Sequence, residues 1–261
     1  MATTETGSTY QRMHHDRLDE SSWDRPPRAE GAERRVIVCS TPRSGSYLLC
    51  RQMINAGLGL PTEYLRERTV AALCARWSIA PGDDDAYLTA VEARRTGDNG
   101  LFAAKVQAQQ LLAHPAAGSR WLERADLLVL LHRRDIVAQA ASWQVSLATG
   151  YWSFDSTRGP IDPRMSLDDT GTTVALANAI VRQNAQWRRR LAALKRRAIE
   201  FAYEDYVDRQ EDVLRLIAAE VGLPAGAWRV PPPEGRDSRL PPQIEEARAR
   251  LIAALRERWR G

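Results

Sequence analysis

Apolar positions along the chain fall into two kinds of run. Val36-Ile37-Val38-Cys39 and Leu127-Leu128-Val129-Leu130-Leu131-His132 are short, nearly continuous and bounded by polar residues. Strands buried on both faces have that pattern. Leu101-Phe102-Ala103-Ala104-Lys105-Val106 and residues 198–203 read as two further strands. Other stretches repeat at helical spacing. Leu48, Leu49, Met53 and Ile54 lie on one side of a helix that ends at Gly57. Helices are expected over 64–78 and 84–96, separated by Ala80-Pro81-Gly82, and over about 134–149. Val174, Ala177, Val181, Asn184, Trp187, Leu191 and Leu194 share one side of a long helix, and further helices follow near 208–221 and 242–259. Strands separated by helices predict an α/β fold of three layers, with a central parallel sheet flanked by helices.

The ends of the chain differ from this pattern. Residues 1–35 are polar and charged with Pro26-Pro27 near their end, and predict a disordered N-terminal tail. Residues 36–261 then form one domain, inside which 224–242 are rich in Pro and Gly and read as a long loop.

Composition narrows the classes. With 261 residues, 44% hydrophobic and 27% charged, the chain has enough apolar side chain for one large core. A net charge of +4 does not argue for a nucleic-acid-coating protein. The run Leu127–Leu131 is far too short to span a membrane, and no apolar h-region stands at the start, so a cytoplasmic protein is expected. Cys39, Cys50 and Cys74 have neither disulfide nor zinc spacing. Asp83-Asp84-Asp85 suits a helix N-terminus better than a metal, and no metal is expected.

Candidate chemistry centres on Ser40-Thr41-Pro42-Arg43-Ser44-Gly45-Ser46-Tyr47, between the first strand and its helix. The first amides of a helix lack partners within it and carry partial positive charge. Arg43 adds a full charge, and Ser44 and Ser46 add hydroxyls. The loop lacks the lysine and flanking glycines of the nucleotide-binding G-x-x-x-x-G-K-[ST]. Taken by itself it is either an anion site or an ordinary turn with a surface arginine.

Pro42-Arg43-Ser44-Gly45-Ser46, ahead of a Leu-Leu helix, resembles the 5′-phosphosulfate loop of sulfotransferases that use 3′-phosphoadenosine 5′-phosphosulfate (PAPS). Its arginine makes it similar to the bacterial trehalose 2-sulfotransferase family, with the likeness covering about 36–210. That resemblance implies a P-loop-like fold, PAPS as sulfuryl donor and no metal. It implies donor binding by Arg43, Ser44, Gly45, Ser46 and Tyr47, and by an arginine and a serine after the third strand. These match Arg133 and Ser142, with Arg134 a rival to Arg133. Lys105, ending the second strand, either stabilises sulfuryl charge or merely snorkels from the sheet edge. The base histidine of the animal enzymes is replaced by Gln107. The resemblance transfers that role to Glu63, in Gly59-Leu60-Pro61-Thr62-Glu63, with His132 and then Glu67 as substitutes. Glu63 would need burial to raise its pKa toward working pH.

The match weakens towards the C-terminus, where Arg236 and Arg239 stand in place of the basic loop that closes on the 3′-phosphate. Tyr151, Trp152 and Phe154 would line an acceptor pocket or simply join the core. The expected acceptor is a hydroxyl of a carbohydrate, glycolipid or small metabolite. A P-loop-like kinase and a non-catalytic nucleotide-binding module are the alternatives. A homodimer is compatible with the sequence but not dictated by it.

Overall fold

The computed structural model describes residues 21–152, 166–233 and 242–258. Strands β1 (Arg34–Ser40), β2 (Leu101–Gln107), β3 (Leu127–His132) and β4 (Ala198–Ala202) form a parallel sheet in the order β2-β1-β3-β4. Val38 lies opposite Lys105 of β2 and Val129 of β3. From β1 the chain moves to β2 on one side, then returns across β1 to β3 on the other. In open α/β sheets, ligands bind at such a reversal, outside the carboxyl ends of the strands.

The helices α1 (Ser46–Ala56), α2 (Glu67–Trp77), α3 (Asp84–Arg95), α4 (Ala108–Ala113) and α5 (Pro115–Arg124) precede β3. After it come α6 (Ile136–Thr149), α7 (Thr170–Leu194), α8 (Tyr203–Asp208), α9 (Gln210–Glu220) and α10 (Pro242–Arg258). Alternation along the strands sorts them into two layers. Ile37, Cys39, Phe102, Ala104, Leu128 and Leu130 pack against Tyr87 of α3, Trp121 of α5 and Trp187 of α7. Val36, Val38, Leu101, Ala103, Val129 and Leu131 pack against Leu49 and Met53 of α1, Tyr206 of α8 and Ile217 of α9. Phe102, Tyr64 and Trp121 form an aromatic group with ring centroids 5.5–6.2 Å apart. Truncating so buried an aromatic costs about 3–5 kcal/mol.

The expected three-layer fold is present, with three local differences. Helix α2 begins at Glu67 rather than 64, because residues 58–66 run along β2 instead. Helices α4 and α5 fill 108–124, where the sequence reading assigned no element. The expected tail also needs correction. Residues 1–20 lie outside the described residues, whereas 21–33 are bonded to α3. The amides of Arg25 and Arg28 donate to the carbonyls of Arg94 and Ala93, each at 3.1 Å. Asp24 accepts from the fully buried Arg95 at 2.6 Å and from Trp77 Nε1 at 2.9 Å. Trp23 packs on Ile54 and Leu60. The anchors are chiefly polar, so the segment shows no apolar period.

Asp83 caps α3 by accepting from the Ala86 amide at 3.0 Å, so the aspartate run serves its N-terminus. Among the described residues, no group of three or more His, Cys, Asp or Glu side chains comes together as a metal site. No helix among them is long and apolar enough to cross a membrane.

Candidate active site

β1 ends at Ser40, and residues 41–45 turn the chain into α1. Gly45 has φ +88°, and a Cβ there would lie 2.2 Å from the Tyr203 ring, so only glycine fits. Arg43 is also left-handed, at φ +62°, a strained conformation for a residue with a side chain. Two helices hold this loop from behind. Gln139 of α6 donates to the Thr41 hydroxyl at 2.9 Å and the Pro42 carbonyl at 2.7 Å. Trp187 of α7 donates to the Ser40 carbonyl at 2.9 Å. The Ser44 hydroxyl is buried with no hydrogen-bond partner among the described residues. The N-cap of α1 is Gly45, which has no side chain to cap the first amides. A rigid loop, a buried orphan hydroxyl and an uncapped helix start make an anion cradle.

Arg43 reaches from this loop to the third strand's side of the site. Its Nε donates to Ser142 Oγ at 3.0 Å, and a terminal nitrogen donates to the Trp152 carbonyl. Among the described residues it has no carboxylate partner. Burial first, then the charges of Arg133 and Arg248, push its pKa down to about 10. Arg133 sits with its guanidinium 5.2 Å from the Tyr203 ring centroid and 3.8 Å from Glu204. Arg134 instead forks onto Asp205 at 2.5 and 2.8 Å. That leaves Arg133 as the arginine of the pair that faces the loop. The loop after β1 and the segment after β3, which the sequence places at separate strand ends, are thus joined through Arg43 and Ser142, with the Arg133 charge acting on Arg43.

Glu63 and Lys105 meet at the neighbouring strand end. The loop 58–66 lies against β2, an edge strand, because Gly59 passes over Ala103 and the Lys105 amide donates to the Thr62 carbonyl at 2.9 Å. A Cβ at Gly59 would come 2.6 Å from that of Ala103. Tyr64, bonded to the Leu60 carbonyl at 2.7 Å, roots the loop in the core. Glu63 Oε1 then lies 2.8 Å from the buried Lys105 Nζ. Oε1 also accepts from Gln107 at 3.3 Å, and Oε2 accepts from Gln110 at 2.9 Å. Burial works to raise the Glu63 pKa, but the Lys105 charge and hydrogen bond outweigh it, with Arg66 and Gln107 helping. The net result is about 2. The base role calls for burial to raise this carboxyl, and the lysine gives the opposite sign.

The other base candidates are placed elsewhere. His132 projects to the opposite face of the sheet from Lys105 and lies 3.3 Å from Glu200. Burial lowers its pKa. Glu67 is exposed in the first turn of α2. Phe154, Arg236 and Arg239 lie outside the described residues. Sequence reasoning missed Gln110, Tyr203 and Gln139. Gln107 and Gln110 meet at the start of α4, where the Gln107 amide donates to the Gln110 side-chain oxygen at 2.9 Å.

Comparison against known families gives one match. A family model described as Stf0 sulphotransferase matches residues 35–239, which include the loop, Glu63, Lys105, Arg133 and Ser142. No curated protein gives a significant match to the chain. With most of its length matched, the chain belongs to the Stf0 sulphotransferase family.

Proposed function

We propose that the chain transfers a sulfuryl group from PAPS to a hydroxyl of a carbohydrate, glycolipid or small metabolite. One observation carries the donor assignment. Arg43, without a carboxylate partner among the described residues, converges with Arg133, Ser142 and the orphan Ser44 hydroxyl where the sheet reverses. Half-buried cations gathered in this way call for an anion with several oxygens. The loop amides, Arg43, Ser44, Gly45, Ser46 and Tyr47 hold the 5′ end. Arg133 and Ser142 hold the 3′-phosphate.

The bound donor supplies the group to be transferred. The chain positions the reactants and balances charge. Lys105 stabilises negative charge on the sulfuryl oxygens. Glu63 is ionised over the whole neutral range, the form in which a base must start. It accepts the acceptor's proton once Lys105 is drawn towards the donor, which relieves the effect that holds its pKa low. The acceptor hydroxyl is bound on the Glu63 side before this, and as its proton passes to Glu63 its oxygen bonds to sulfur while the bond from sulfur to the 5′-phosphate oxygen breaks and the bisphosphate leaves.

Calorimetry with adenosine 3′,5′-bisphosphate and with ATP-Mg²⁺ tests the donor. The bisphosphate is expected to bind and ATP-Mg²⁺ to bind weakly; the reverse preference overturns the reading in favour of a kinase. Release of the bisphosphate from PAPS in the presence of a panel of sugars, glycolipids and alcohols tests turnover. Tight binding with no turnover for any hydroxyl class would indicate a non-catalytic module.

A further inference from the structure

Helix α10 begins at Pro242, beyond the last family-matched residue, so nothing in the family match assigns it a role. It packs on α6 and α7, with Ala247, Leu251 and Leu255 buried. Arg256 bonds Asp135, the N-cap of α6, at 2.7 Å, which pins α10 next to Arg133. Arg248 occupies the buried side of this helix, its side chain 23% exposed. One terminal nitrogen is held by Glu245, but its Nε is buried and has no hydrogen-bond partner among the described residues.

We propose that Arg248 is a third guanidinium of the donor site and binds the donor's 3′-phosphate monoester. This rests on the PAPS reading above. The Arg256–Asp135 bond and the packing on α6 bring Arg248 to the side of the site where Arg133 stands, and its charge helps to lower the pKa of both Arg43 and Arg133. Three guanidiniums gathered largely out of water repel one another, and Glu245 beside Arg248 and Glu204 beside Arg133 offset only part of that charge. A phosphate monoester carries about −1.5 to −2 at neutral pH and supplies the missing balance. The 3′ end is favoured over the sulfuryl end by position. Helix α10 lies on α6 and α7, beside Ser142, whereas Lys105 and Glu63 lie at the β2 edge.

The test is calorimetry on the full chain with two probes, adenosine 3′,5′-bisphosphate and AMP, which lacks the 3′-phosphate. Arg248→Ala is expected to weaken the bisphosphate by about tenfold to a hundredfold and leave AMP unchanged. Arg248→Lys keeps the charge and fold and is expected to lose less. Unchanged bisphosphate affinity, or equal losses for both probes, overturns the role of Arg248. Arg256→Ala serves as the control for helix placement. An equal, selective loss there would show that the position of α10 matters rather than the guanidinium, and overturns it too. If Arg248→Ala does not fold, the Arg248→Lys result decides. A wild-type chain that does not prefer the bisphosphate to AMP would overturn the PAPS reading itself.

Discussion

Glu63 and Lys105 are coupled by a 2.8 Å contact that holds the Glu63 carboxyl ionised. Glu63 is depressed from 4.5 to about 2 in the folded chain, so its bonds stabilise the fold above pH 4.5 and are lost as pH falls towards 2. The Tm difference between wild type and Glu63→Gln is therefore expected to be constant near neutrality and to shrink between those two values. A difference that is flat from neutrality down to pH 2 would show that the pair adds no pH-dependent stability. For catalysis, Glu63→Gln is expected to cut kcat by about 10²- to 10⁴-fold with bisphosphate affinity retained. A parallel loss of affinity would make the residue structural. Arg43 stood out in the sequence as the charge in a strand-to-helix loop, whereas Glu63 and Arg133 were singled out only by the family resemblance, and Arg133 was separable from Arg134 only by the fold. Gln110 was not legible, since its role depends on where the loop 58–66 lies along β2. The sign of the Glu63 shift was equally hidden, because it depends on one ammonium 42 positions away in the chain.

Among the elements, the strands were the most legible, since apolar runs such as Leu127–Leu131 have one plausible place in a parallel sheet. Helices α4 and α5 were not, because α4 is only six residues long and α5 starts at Pro115 directly after it. The segment 21–33 was misread for a physical reason: it binds through Asp24 and backbone amides, which leave no periodic trace. Asp24 neutralises Arg95, whose side chain has no exposure to water. Asp24→Ala leaves that guanidinium short of its carboxylate, at an expected cost of roughly 3 kcal/mol. For a chain of this size that corresponds to a Tm drop of about 6–12 °C. Deleting residues 1–33 is expected to cost at least as much by differential scanning calorimetry. A truncated chain with wild-type Tm would show that the segment contributes nothing to the fold. Helix α10 hid its contribution differently. Arg248 and Arg250 both pair with glutamates of the same helix, and only the packing on α6 shows Arg248 turned inward.

Across the whole molecule, a small net charge of +4 conceals a local excess of positive charge where the sheet reverses. Loop, third-strand and C-terminal arginines meet there from parts of the chain about 200 residues apart. Each of the elements carrying them packs on the same core, so an anion that balances them ties those elements together. Binding to the folded state alone adds about 2.7 kcal/mol of stability at a ligand concentration one hundred times Kd. The bisphosphate at that concentration is therefore expected to raise Tm by roughly 5–10 °C. Because the free ligand is a multivalent anion, its attraction to the site is screened by salt, and the shift at a fixed ligand concentration is expected to fall as ionic strength rises. Arg43→Ala removes the residue that bridges the loop to Ser142, so most of the shift is expected to vanish in that variant. A full, salt-independent shift in Arg43→Ala would mean that the nucleotide is held by apolar contacts elsewhere, and that the arginine cluster serves the fold rather than the ligand.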